Sequence, residues 1–162
     1  MRAKTSSKDA AKKGQRDEAW KRAGFKRLKQ TVKNELVCGP HSFGQVREFF
    51  LRTPCRSLDR IVLALGDSGG NTVVVSVAWV RMPRTESAEK LKKLVDVQGT
   101  GNVEPLGGAL LGLAGVDFTG KYYDSRRDGS LVVIAESTPG GGHPSGSMMS
   151  DLADVAAELP KP

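Results

Sequence analysis

Residues 57–82, SLDRIVLALGDSGGNTVVVSVAWVRM, constrain the fold more than any other stretch. Two apolar runs flank a Gly/Asp/Ser/Asn cluster that only a turn between strands accommodates. Ile61, Val62, Leu63 and Leu65 precede the cluster, and Val73, Val74, Val75, Val77, Trp79 and Val80 follow it. Most are β-branched or aromatic, the types that pack on a pleated surface. Both runs are apolar on both pleat faces, which places the pair centrally in a sheet. The rest of the chain must cover it.

At 162 residues the chain is long enough for a core that needs no metal or disulfide framework. Its net charge of +7 is unevenly placed. Residues 1–36 hold twelve Lys or Arg against four Asp or Glu, so the remainder is close to neutral. Such asymmetry points to an anionic partner for the N-terminal segment: nucleic acid, an anionic membrane surface or an acidic protein. A solvated tail is the plain alternative. No apolar stretch approaches the ~20 residues of a membrane-spanning helix. The basic N-terminus also lacks the apolar segment of a secretory signal, so with Met1 as the start a cytoplasmic protein is expected. Cys38 and Cys55 are the only cysteines and lack CxxC spacing. A single bridge between them is geometrically open, although a reducing cytosol would keep both thiols free.

Residues 1–15 contain no large apolar side chain after Met1 and are expected to be a disordered basic tail ahead of one α+β domain over 16–162. From about 17 to 37 the spacing of Trp20, Leu28, Val32 and Leu36 predicts a basic amphipathic helix. Lys21, Arg22, Lys26, Arg27, Lys29 and Lys33 on that helix are the candidate partner-binding residues. After Gly39-Pro40, Ser42 and Gln45 fit a capping box for a second helix with Phe43, Val46, Phe49 and Phe50 inward, ending before Pro54. Beyond the hairpin, Thr85 and Glu86 open a third helix with Ala88, Leu91, Leu94 and Val95 inward.

Residues 99–115, GTGNVEPLGGALLGLAG, read as a short buried helix with a small-residue face or as an apolar loop. In the second reading Leu106, Leu110, Leu111 and Leu113 would line a pocket for a small molecule against the sheet. A second hairpin follows, FTGKYYDS and SLVVIAES around Arg126-Arg127-Asp128-Gly129. A last helix starts at Ser147 with Met148, Leu152, Val155, Ala156 and Leu159 inward, and Pro160 stops it.

Gly66-Asp67-Ser68-Gly69-Gly70 reproduces the GDSGG motif around the nucleophile of chymotrypsin-like proteases. The chain is too short for that two-barrel body, and His41 beside a helix start is its one upstream histidine, so the cluster reads as a turn. Gly115, Gly120 and Lys121 imitate P-loop spacing, but Tyr122 and a strand follow where Ser or Thr and a helix are needed. Gly99 through Asn102 forms a glycine turn with amides able to meet an anion. Neither His41 nor His143 stands among acids or cysteines at metal-ligand spacing. No catalytic residue, metal site or cofactor is expected.

The stretch SFGQVREFFLRTPCRSLDRIVLALGDSGGNTVVVSVAWVRMP, with GTGNVEPLGGALLGLAG and FTGKYYDSRRDGS, resembles a group of small actinobacterial α+β proteins of unassigned function over residues 36–138 or so. The resemblance implies no catalytic or binding residue. The alternation of hairpins with single helices predicts a two-layer α+β sandwich: a four-stranded, largely antiparallel sheet with helices on one face, preceded by two helices. The expected function is a non-enzymatic binding module whose basic N-terminal helix contacts an anionic partner.

Overall fold

The computed structural model describes residues 2–107, 111–113 and 116–162. Its centre is the hairpin of Ser57–Gly66 and Thr72–Arg81, and the strands among the described residues are β1 (Lys26–Glu35), β2 (Ser42–Phe43), β3 (Ser57–Gly66), β4 (Thr72–Arg81), β5 (Gly101–Val103), β6 (Tyr122–Asp128) and β7 (Leu131–Gly141). β3 and β4 pair antiparallel from Ser57–Arg81 to Gly66–Thr72, with every residue of 58–65 and 73–80 buried. At the turn the Asp67 carboxylate accepts from the amides of Gly69 and Asn71 (2.9 and 2.8 Å) and from Asn71 Nδ2 (3.0 Å). Gly70 takes the left-handed conformation there (φ +84°). The GDSGG cluster is thus a side-chain-braced turn, as its composition required.

The main sheet runs β1-β3-β4-β7-β6, antiparallel throughout, so it has five strands where four were expected. The extra strand, β1, occupies about half of the stretch expected to be helical. A short helix, α2 (Arg16–Arg22), does form, but Gly24 at φ +87° ends it and the chain turns into the sheet. Within β1 the β-branched Thr31 and Val32 sit where alternation, not a 3.6-residue period, places residues on the two pleat faces.

Residues 2–12 form helix α1 (Arg2–Lys12), which overturns the expected disordered tail. Small side chains do the work that large ones were assumed necessary for: Ala10, Ala11 and Ser7 are fully buried. Lys4 bonds Asp154 and pairs with Asp151 on α5 (Gly146–Ala156). The Asp154 bond is the main influence raising the Lys4 pKa.

Helices lie on both faces, which corrects the two-layer expectation. α1, α2 and α5 cover Ile61, Leu63, Leu65, Val73, Val75, Val77, Trp79, Val133 and Ala135. α3 (Gly44–Arg52) and α4 (Thr85–Val95) cover Leu58, Ala78, Val80, Val132 and Ile134 on the opposite face. Two strands apolar on both faces need a layer on each side, so the three-layer arrangement follows from the hairpin itself.

Several local expectations also change. Ser42 pairs with Val103 in the β2–β5 ribbon and its hydroxyl donates to Cys38 O (2.8 Å), while the Gln45 amide donates to Thr100 O (2.7 Å); no capping box forms. Gly44 and Gly101 let the ribbon backbones cross closely: a Cβ on Gly101 would stand 2.2 Å from Phe43 O. Cys38 and Cys55 form a disulfide across α3, against the expectation of free thiols. Arg126 and Arg127 belong to β6, the turn being Gly129-Ser130, and Arg126 donates to Ala157 O and Leu159 O beyond α5. α5 starts one residue earlier than expected and is capped by Ser145 Oγ, which accepts from Met148 N (3.1 Å). Leu159 is buried past the helix end, and its carbonyl accepts from Trp79 Nε1 (2.8 Å).

Candidate functional site

The six cations selected from the sequence share no helix face. Lys21 and Arg22 lie on α2, whereas Lys26, Arg27, Lys29 and Lys33 lie on β1, the edge strand of the sheet. All six are exposed. Three are engaged within the molecule. Arg22 pairs with Glu18 and donates to Ser6 O, Arg27 reaches Asp17 on α2, and Lys29 Nζ donates to Leu111 O (3.2 Å). Among the described residues Lys21, Lys26 and Lys33 have no ion-pair partner. Leu28, Val32, Leu36 and Val37 are exposed large apolar side chains on or just after the same strand. A pleated alternation therefore displays cations and apolar groups together along the end strand of the main sheet. Trp20, expected to head the helix's apolar stripe, is buried at 1% exposure on the inner side of α2.

Of the four leucines considered for a pocket, Leu106 and Leu111 are buried against Val62, Ala64 and Val74, and Leu113 packs partly against the same group. Leu110, and part of the expected short helix, lie outside the described residues. The described leucines fill the space over the sheet directly.

A cavity of about 420 Å³ opens beside that loop instead. Its walls include Phe43 from β2, Asp96 and Val97 after α4, Phe118, and Tyr123 from β6, and its floor includes Asn102 and Glu136. Glu136 faces Ser76 and Tyr123 across the sheet. Glu136 is 6% exposed, and its carboxyl accepts from Asn102 Nδ2 (2.8 Å) and from the Gly120 amide. Burial pushes the Glu136 carboxyl up, and the two N–H donors pull it back only in part. Asp96 behaves oppositely. Burial opposes its ionisation, but bonds from Lys92, Ser125 and Tyr123 outweigh it and hold the carboxyl below the ordinary range. Burial, and then the bond donated to Asp96 (2.8 Å), push the Tyr123 hydroxyl far up, so it stays protonated and donates to Asp96.

Of these cavity residues the sequence pointed only to Asn102, as part of the glycine turn 99–102. One further signal was legible: Glu136 is the sole charge in the apolar run LVVIAES. The glycine turn 99–102, read as a place for an anion, stands here beside Asp96 and Glu136, surroundings that disfavour one. His41 is also accounted for internally, its Nδ1 lying 3.4 Å from Arg60, which pairs with Glu35. Among the described residues no group of three or more His, Cys, Asp or Glu side chains could hold a metal ion, and no helix is long and apolar enough to cross a membrane.

These elements define a three-layer α+β domain with an exposed basic strand edge and a separate cavity floored by a buried carboxyl. Comparison with known protein families, curated proteins and solved structures finds no match.

Proposed function

We propose that this protein is a non-enzymatic binding module whose anionic partner is an acidic protein segment that adds as a strand along β1. The observation that carries this reading is the coincidence, on one element, of an end position in the sheet, exposed cations and exposed apolar side chains. Lys29 and Lys33 fall on one pleat face and Val32 on the other, a pattern complementary to an extended chain that alternates acidic and apolar residues. Nucleic acid needs only phosphate neutralisation and an anionic membrane only a basic apolar surface; neither uses the end position of β1 in the sheet. The cytoplasmic placement expected from the sequence fits poorly with the Cys38–Cys55 bridge, which favours an oxidising compartment.

The test is a titration of the protein with an alternating Glu-Val peptide, a DNA duplex and phosphatidylserine vesicles at low and moderate salt. Peptide binding is expected, weakening about tenfold as salt rises from ~50 to ~200 mM. Replacing Lys21, Lys26, Lys29 and Lys33 with Gln should abolish it. Binding of duplex or vesicles without the peptide would overturn the acidic-strand reading, and binding of none would end the anionic-partner reading altogether.

A further inference from the structure

From the cavity between α4, the β2–β5 ribbon and the β6–β7 edge, we infer a second binding site, independent of the β1 edge, that takes a small organic cation: an ammonium or guanidinium on an apolar stem. Three observations converge on this class. First, Glu136 presents a carboxyl to the cavity floor, and among the described residues no Lys, Arg or His stands within ion-pair distance of it. A buried acid without a countercharge is costly to ionise, and a cation arriving in the cavity supplies the missing partner. Its neighbours leave it room to do so, since the Asn102 amide fixes one side of the carboxyl without neutralising it.

Second, the remaining walls suit a cation's stem. Phe43, Phe118 and Tyr123 bring three aromatic rings to one cavity, and aromatic faces attract cations as well as apolar groups. Phe43 is 46% exposed, an unusual position for a phenylalanine that local folding does not require. Third, Asp96 adds a carboxylate to the rim, fixed by Tyr123 and Ser125 hydroxyls and by Lys92. Its bonds to those side chains orient it and keep it ionised, so the rim carries a carboxylate shared with Lys92 above the unpaired carboxyl on the floor, on a protein whose net charge is positive. The volume, about 420 Å³, matches a metabolite-sized ligand.

The experiment is an NMR titration of the ¹⁵N-labelled full chain with phenethylammonium and butylguanidinium, against 2-phenylethanol and phenylacetate as neutral and anionic counterparts. Saturable shifts of the Gly120 amide and the Asn102 side-chain amide are expected with both cations, with the neutral and anionic compounds at least about tenfold weaker. Glu136→Gln should remove the preference for charge, leaving the cations no tighter than the alcohol. Phe43→Ala changes an exposed side chain, so the fold should survive while cation affinity falls about fivefold. Nα-acetyl-lysine methylamide separates the two sources of this chemistry. Its binding alongside the free amines points to a side chain of a partner chain, and its exclusion to a metabolite. Absence of saturable shifts with both cations up to about 10 mM would overturn the site. So would equal affinity for phenylethanol, or unchanged affinity in Phe43→Ala.

Discussion

The two faces of the central sheet are made by the same strands and are covered in different ways. On the face beneath α1, α2 and α5, apolar side chains run unbroken from Leu65 and Val73 to Trp79 and Val133. On the other face a polar band interrupts the core. Leu58, Val80, Val132 and Ile134 lie under α3 and α4, and Val62, Ala64 and Val74 lie under the loop that carries Leu106 and Leu111. Between these groups stand Arg60, Ser76 and Glu136, each buried and each on successive strands β3, β4 and β7. Helices seal the first face, whereas a ribbon and a loop with their own backbone polar groups seal the middle of the second, and those groups need partners. The Arg60 guanidinium donating to Glu104 O (3.0 Å) is such a partnership, and the Asn102–Glu136 side-chain bond ties the ribbon to the same band.

This contrast makes the cost of a cavity depend on which face it opens. Leu63→Ala, on the continuous face and fully buried between helices and sheet, should cost ~4 kcal/mol, because rigid neighbours cannot collapse into the space. Leu106→Ala, under the loop, should cost ~2 kcal/mol because the loop can settle. Urea denaturation of both variants measures the difference, and equal losses would erase the distinction between the faces.

The second face has a covalent tie that the first lacks. Cys38→Ser together with Cys55→Ser should cost ~3 kcal/mol by freeing the loop that holds α3 in the unfolded chain. Denaturation with and without reductant tests this. A reductant-insensitive wild type would mean that the bridge is absent in solution.

The smallest effect sharpens the role of the polar band. Glu136 titrates higher in the folded than in the unfolded chain, so above the ordinary value of 4.5 the folded state holds the extra proton. Stability must then fall as pH rises through that window, by at most about 1.4 kcal/mol per pH unit. Glu136→Gln removes this contribution. The wild-type stability minus that of the variant should decline from pH ~4.5 upward. The oppositely shifted Asp96 and Asp67 are present in both proteins and cancel to first order. A flat difference would show that the carboxyl is as well solvated as in the unfolded chain.

The central hairpin, the helices at 44–52, 85–95 and 146–156 and the second hairpin were legible because each combines a clear period with a chemical stop: Pro54, Pro83, Asp-Gly, Pro160. The N-terminal third was not. The helical spacing of Trp20, Leu28, Val32 and Leu36 ran straight through Gly24, and one glycine with a left-handed backbone outweighed the period. α1 was missed because burial by alanines leaves no large-residue signature. The cavity escaped for a different reason. Asn102, Tyr123 and Glu136 come from three separate elements, and Asp96 from the end of a fourth, so only the register of β6 on β7 and the crossing at Gly44 and Gly101 bring them together.

The edge strand β1 has one further consequence, for the behaviour of the protein in concentrated solution. A long strand at the end of a sheet is a template for stacking copies of itself, and Leu28, Val32 and Leu36 would favour that assembly. Two features resist it. A bulge between Arg27 and Lys29 breaks the straight hydrogen-bonding edge, and two such edges laid side by side would set lysine against lysine. The cations that greet an acidic chain are therefore also gatekeepers against fibre growth, and neutralising them removes the barrier together with the affinity.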